Sequence, residues 1–194
     1  ATVCAPSRCS LMTGKHGGHA YIRGNREIKP EGQEPMPAGT FTVGHLMQRA
    51  GYTTGITGKW GLGKPDSASV PNKMGFDRYE GSFGGTLTSY TNWSKITDGV
   101  SSTVTNYATS EAVNNAVTWL KTQSSKPFFL WLAFNAPHDP FHLPPANLHS
   151  YTLSGTTMDI NNNPKKYFKA MMQALDTEMG RFFDSLKAMN KFDS

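Results

Sequence analysis

An unbroken apolar run, Phe128-Phe129-Leu130-Trp131-Leu132-Ala133-Phe134, constrains this chain more than any other feature. It is far shorter than the ~20 residues of a membrane-spanning helix. Its lack of polar alternation predicts a strand in the middle of a parallel sheet, covered on both faces. The preceding residues agree: Ser110 can cap a helix with Val113, Ala116, Val117 and Leu120 on one face, and the turn Ser124-Ser125-Lys126-Pro127 leads into the strand.

The same order occurs earlier. Thr42 can cap a short helix carrying Val43, Leu46, Met47 and Ala50, which Gly51 ends, and Tyr52 to Thr57 then reads as a strand running into Gly58-Lys59-Trp60. A third helix, 164–189, starts with Asn163 as cap and Pro164 in the first helical position. It places Phe168, Met171, Met172, Leu175, Met179, Phe182, Phe183 and Leu186 at steps of three and four, as core packing requires. The polar stretches Ser82 to Asn106 and Ser154 to Asn163 read as loops or short edge hairpins. Helix-then-strand alternation predicts an α/β layered sandwich with a mostly parallel central sheet, whose reactive groups gather at the carboxyl ends of strands. Lys59 and His138 both follow such strands.

Composition narrows the function classes. A net charge of +5 without a Lys/Arg-rich block gives nucleic acid no support as a partner, and no apolar run reaches the length of a membrane span. Two cysteines cannot make a disulfide framework, and Cys4 and Cys9, five positions apart on a helix, lie beyond disulfide reach. The chain begins Ala1-Thr2-Val3 with no signal-peptide pattern.

The chemistry concentrates in Cys4-Ala5-Pro6-Ser7-Arg8. Pro6 presets a helical first turn, so Cys4 sits at a helix N-terminus, where free N–H groups and the macrodipole favour anionic charge. Arg8, one turn on, can reach back to residue 4 with its forked donors. The Gly-rich segment Lys15 to Asn25 follows as a loop, in which His16, His19 and Arg23 are candidates to line a pocket mouth and meet an anionic substrate. His142 is a further candidate substrate contact; His45 reads as structural.

The stretch Cys4 to Gly14 resembles the signature of the type I sulfatases of the alkaline phosphatase superfamily. The resemblance continues through Gly51-Tyr52-Thr53-Thr54, Gly58-Lys59-Trp60, Lys126 to Phe129, Pro137-His138 and Ala174-Leu175-Asp176. It implies an alkaline-phosphatase-like fold and a sulfuric ester hydrolase acting on aryl or carbohydrate sulfates. By the same resemblance Cys4 is oxidised to formylglycine by a dedicated maturation enzyme and hydrated to a gem-diol. One hydroxyl, bound to calcium or another divalent ion, attacks sulfur, and the other then drives elimination of sulfate. Lys59 matches the lysine that contacts nucleophile and sulfate, and His138 the histidine that protonates the leaving alcohol.

One position departs from the pattern: where the family continues Lys-Trp-His-Leu-Gly, this chain reads Lys59-Trp60-Gly61-Leu62-Gly63. Either another group such as His16 or His19 takes over, or rate or substrate differs. The family's Asp-Asp and Asp-Asn metal pairs have no counterpart; Asp139, Asp176 and Asp193 match neither. Residues 1–194 are therefore expected to be part of a catalytic domain, lacking the Asp-Asp strand before the signature and the region after the 164–189 helix. The metal ligands other than modified Cys4 are then expected outside the chain. The resemblance also implies a secreted, periplasmic or lysosome-like parent. Two other readings stand beside it: a phosphodiester or phosphonate hydrolase of the same superfamily, and a non-catalytic protein that binds sulfated glycans through its positive charge.

Overall fold

The computed structural model describes residues 3–26, 33–67, 69–123 and 126–192; Ser124, Ser125 and Asp193 of the readings above lie outside them. The chain forms two compact units, the first made of 1–85, 94–102 and 123–133, the second of 86–93, 103–122 and 134–194.

The first unit opens with helix α1 (Cys4–Thr13) and helix α2 (Val43–Arg49), which precedes strand β1 (Thr53–Lys59). Strands β2 (Arg78–Ser82), β3 (Trp93–Thr97), β4 (Val100–Val104) and β5 (Phe128–Ala133) complete a sheet in the order β4-β3-β2-β1-β5. β1 is the parallel partner of both β2 and β5, so the three strands end on the same side with Lys59, Ser82 and Ala133; β3 pairs antiparallel with β2. The β3–β4 hairpin turns through Asp98 and Gly99, both at positive φ, and is the short edge hairpin expected of the polar stretch.

The core of this unit gathers Ala5, Cys9 and Met12 from α1, Ile56 from β1, Tyr79 from β2, and Trp60, Leu62 and Phe76 from the connections. Trp60 meets Phe76 and Trp131 edge-on, at 6.3 and 6.2 Å between ring centroids, and donates its indole N–H to the Ser69 carbonyl at 2.7 Å.

The second unit pairs helix α3 (Ala108–Lys121) with the long helix α5 (Pro164–Ala188). Buried Glu178 of α5 accepts from Ser110 Oγ at 2.7 Å and from Arg181 Nε at 2.7 Å, so its charge is compensated inside the contact. Tyr90, Tyr107, Ala136, Leu148, Met171 and Ala174 make its core.

Several expectations are corrected. β5 is not central: among the described residues it is the sheet's edge, and Phe128 to Leu132 are half-buried. Ser110 does not cap α3; Tyr107 holds that position, and the Ser110 hydroxyl is spent on Glu178. Leu46 of α2 is exposed and Gly44 is the buried residue, because the helix backbone rests on the 74–76 turn: a Cβ at Gly44 would lie 2.6 Å from the Gly75 carbonyl. On α5 the buried face is Tyr167, Ala170, Met171, Ala174, Glu178, Phe182 and Leu186, whereas Phe168, Met172 and Phe183 are exposed. Small Ala170 and Ala174 allow close approach on that side, which counting large apolar residues overlooks. The stretch 154–163 is not all loop but holds a short helix α4 (Thr157–Asn162), capped by the Thr156 hydroxyl at 3.3 Å from the Asp159 N–H.

Candidate active site

Cys4 is the first residue of α1, as Pro6 predicts: its missing N–H falls in the first turn, where no intrahelical partner exists. Val3 supplies no side-chain cap. Asn25, from the loop that follows the helix, does so instead: its Oδ1 accepts the Ala5 N–H at 3.1 Å and lies 3.5 Å from Cys4 Sγ. One amide thus anchors the helix start and touches the candidate nucleophile. Only its place in the Gly-rich loop hinted at this in the sequence.

Arg8 ties this helix to the carboxyl end of β1. Its Nη1 donates to the Lys59 carbonyl, and its guanidinium carbon stands 5.1 Å from the centroid of the Trp131 ring on β5. Burial lowers the Arg8 pKa, while the nearby Cys4 and Tyr79, as anions, would raise it. Arginine's ordinary value lies so high that the group stays cationic. Tyr79 is fully buried, and that burial holds its phenol well above the usual range, against the pull of Arg8.

Lys59 is only 2% exposed, and its Nζ donates to the Gly85 carbonyl. The half-buried Arg8 guanidinium on the Lys59 carbonyl and the buried Lys59 side chain on the Gly85 carbonyl together put two basic groups at the end of a parallel strand. Gly61 lies against both. Its φ is +67°, and an added Cβ would stand 3.3 Å from Arg8 Cδ and from Lys59 Cε. The departure from the family pattern is therefore built into the backbone: the left-handed turn and the close side chains of Arg8 and Lys59 favour glycine there.

His19 and Arg23 line a common cleft of this unit, and His16, whose Nδ1 accepts the Gly18 N–H at 3.2 Å, is not in its lining. Among the described residues no three His, Cys, Asp or Glu side chains come together to hold a metal ion.

His138 and His142 belong to the second unit. His138 Nδ1 lies 2.5 Å from Asp139 Oδ1, and the His138 carbonyl accepts the Tyr90 hydroxyl at 2.9 Å. A carboxylate on Nδ1 favours the proton there and leaves Nε2 as the nitrogen for proton exchange. His142 is engaged on both nitrogens: Nδ1 donates to the Pro140 carbonyl at 3.0 Å, so Nε2 of the neutral ring accepts from the Tyr107 hydroxyl at 3.1 Å. Its ring stacks on Tyr90 at 4.2 Å.

Burial lowers the His142 pKa, against the pull of the Pro140 hydrogen bond. Burial also pushes the Tyr107 phenol up to about 12. Because folding holds His142 below its ordinary value, the unfolded chain takes up its proton first as pH falls, and stability drops below about pH 6.5. Melting temperatures measured from about pH 7.5 down to about pH 5 are expected to fall more for the wild type than for His142→Gln. Equal slopes would show that His142 does not contribute.

Similarity to known proteins identifies the family. The sulfatase family model matches residues 1–194. Mouse (Mus musculus) arylsulfatase J is 30% identical over 189 residues, covering 90% of this chain and 30% of that protein. Human (Homo sapiens) arylsulfatase G is 42% identical over 81 residues, covering 42% of this chain and 15% of that protein. The structure of Ps i-CgsB in complex with k-i-k-neocarrahexaose superimposes with a TM-score of 0.79 at 26% identity, over 98% of this chain and 46% of that one. The chain thus spans about a third of mouse arylsulfatase J and under half of Ps i-CgsB. With a family match along its whole length and a mostly parallel α/β sheet shared with solved sulfatases, this chain belongs to the sulfatase family.

Proposed function

We propose that the protein of which these residues are part hydrolyses sulfate esters, aryl or carbohydrate, through formylglycine formed from Cys4. The observation that carries this reading is the junction at which Arg8 of the signature helix joins Lys59 at the end of β1, beside the helix start that bears Cys4. When modified, Cys4 supplies a hydrated aldehyde, with one hydroxyl to attack sulfur and a second to expel sulfate. Asn25 holds the helix start that carries residue 4 by accepting the Ala5 N–H at 3.1 Å. Lys59 and Arg8, the first buried and the second half-buried, oppose the charge that gathers on the sulfuryl oxygens. His138, with Nδ1 held by Asp139, offers Nε2 to protonate the leaving alcohol.

Sulfate esters of aromatic alcohols or sugars are the proposed substrates, in line with the relatives' names and with the glycan in the Ps i-CgsB complex. A divalent ion, calcium by the resemblance, is proposed for the whole protein with Cys4 its one contact among these residues. A maturation enzyme is the implied partner, and a secreted, periplasmic or lysosome-like setting follows from the same resemblance. Among the described residues no helix is long and apolar enough to cross a membrane.

Paired assays of the whole matured protein on aryl sulfate and aryl phosphate esters test the reading. Preferred turnover of sulfate is expected; preferred turnover of phosphodiesters would reassign the chemistry, and no turnover of either would leave a glycan-binding protein. In the active protein, His138→Ala should slow esters of poor leaving groups by about 10²–10⁴-fold and activated aryl esters far less. Equal losses on both would make His138 structural.

A further inference from the structure

A cleft of about 420 Å3 opens in the first unit at the carboxyl end of α1, lined by Thr13, Lys15, His19, Tyr21, Arg23 and Thr40 among others. Its volume lies within the range of small-molecule sites. Three of the lining side chains are basic, none is acidic, and among the described residues no carboxylate pairs with Lys15, His19 or Arg23. Arg23 is steadied by its own Nε, which donates to the Ala20 carbonyl at 3.4 Å. Tyr21 is 56% exposed, so its ring offers a flat apolar surface beside the cations.

The hydroxyls indicate what kind of anion belongs here. Thr13 Oγ1 already donates to the Cys9 carbonyl, and Thr40 Oγ1 to the Pro37 carbonyl, both at 2.7 Å. Thr13 Oγ1 also accepts the Lys15 N–H at 3.4 Å, so with both protons committed each oxygen retains a lone pair that can accept from a ligand's O–H group. A bare sulfate carries no such donors at neutral pH, whereas a sugar ring has several. Cations, committed hydroxyls and an exposed aromatic ring together match an anionic substituent carried on a polyol.

Position along α1 gives the spacing. Cys4 begins the helix and Thr13 ends it, so at 1.5 Å per residue they stand about 13.5 Å apart. On a ligand reaching both places, the anion in the cleft and the ester at residue 4 would sit on different sugar units. We propose that this cleft binds a sulfate or carboxylate group on a second sugar of an oligosaccharide whose sulfate ester meets residue 4. The proposal rests on the hydrolase reading for the ester and on the cleft's own chemistry for the second contact.

Equilibrium binding to the whole protein tests it, with a chondroitin sulfate tetrasaccharide, neutral maltotetraose and inorganic sulfate as probes. Lys15 and Arg23 are exposed, so their substitution spares the fold, which circular dichroism verifies. The double variant Lys15→Ala, Arg23→Ala should lose at least about tenfold in affinity for the sulfated tetrasaccharide, and Arg23→Lys alone should keep most of it. Unchanged affinity in the double variant would overturn the proposal. So would maltotetraose or inorganic sulfate binding as tightly as the tetrasaccharide. Turnover of aryl sulfate by the wild type is followed separately. If it is absent while the substitutions weaken tetrasaccharide binding, the cleft stands and the hydrolase reading falls. If it is present while binding is indifferent to the substitutions, the cleft alone falls.

Discussion

Cys4→Ala is expected to abolish sulfate ester turnover in the whole matured protein, with a loss on the order of 10⁴–10⁶-fold, as when a covalent nucleophile is removed from other hydrolases. The Cys4 side chain makes one long hydrogen bond, to Asn25 Oδ1 at 3.5 Å, so the variant should fold and melt as the wild type does. Cys4→Ser separates two steps: one hydroxyl can attack, but the second, needed to expel sulfate, is missing, so the variant should stall after a single turnover. In the wild type, mass spectrometry of the peptide containing residue 4 should show loss of sulfur and two hydrogens and gain of one oxygen. A fully active protein carrying an intact thiol would sink the formylglycine assignment.

The largest effect on stability is expected at Gly81→Ala. Gly81 of β2 stands opposite Gly58 of β1 in the parallel ladder, and a Cβ at residue 81 would lie 1.7 Å from the Gly58 carbonyl oxygen. No side chain can rotate to relieve this overlap, since all the atoms met are backbone. The two strands must separate at the residue before Lys59, with a loss of about 3 kcal/mol or more. For a chain of this size that corresponds to a fall in Tm of roughly 6–12 °C. Gly180→Ala is the matched control: residue 180 is helical in α5 with open space around it, and there alanine should stabilise by about 1 kcal/mol. Similar melting of Gly81→Ala and wild type would mean that β1 and β2 are not in this register.

The elements that proved legible carry local signals. Thr42 caps α2 as expected, with His45 closing the capping box, and Pro164 opens α5 behind Asn163. What sequence alone concealed is set by partners distant in the chain. β5 reads as central because hydropathy reports burial of faces and not pairing of edges, and among the described residues its strand partner is β1. β2 escaped notice because Arg78-Tyr79-Glu80-Gly81-Ser82 lacks apolar alternation; the Arg78 charge is met by Glu80 and Asp98, at 2.6 Å each. In the site, Cys4, Arg8 and Lys59 were found through the motif, and the structure brings them together at the end of β1. Asn25 and Trp131 were not singled out, since a lone amide in a loop and a tryptophan in an apolar run look like ordinary polar and core residues.

The tie between Arg8 and the ring of Trp131 also has a bearing on the order in which the protein is made. About 120 residues separate these two positions, and at a synthesis rate of about 5–20 residues per second the second emerges roughly 6–25 s after the first. The partner strand of β1 on that side, β5, is equally late. Through that interval the pentapeptide Cys4 to Arg8 has left the ribosome while the surroundings that will enclose Arg8 do not yet exist. Under the modification proposed for Cys4, an enzyme acting there would meet its substrate most easily as a nascent chain, and slower elongation across residues 60–130 should raise the fraction of molecules that become competent.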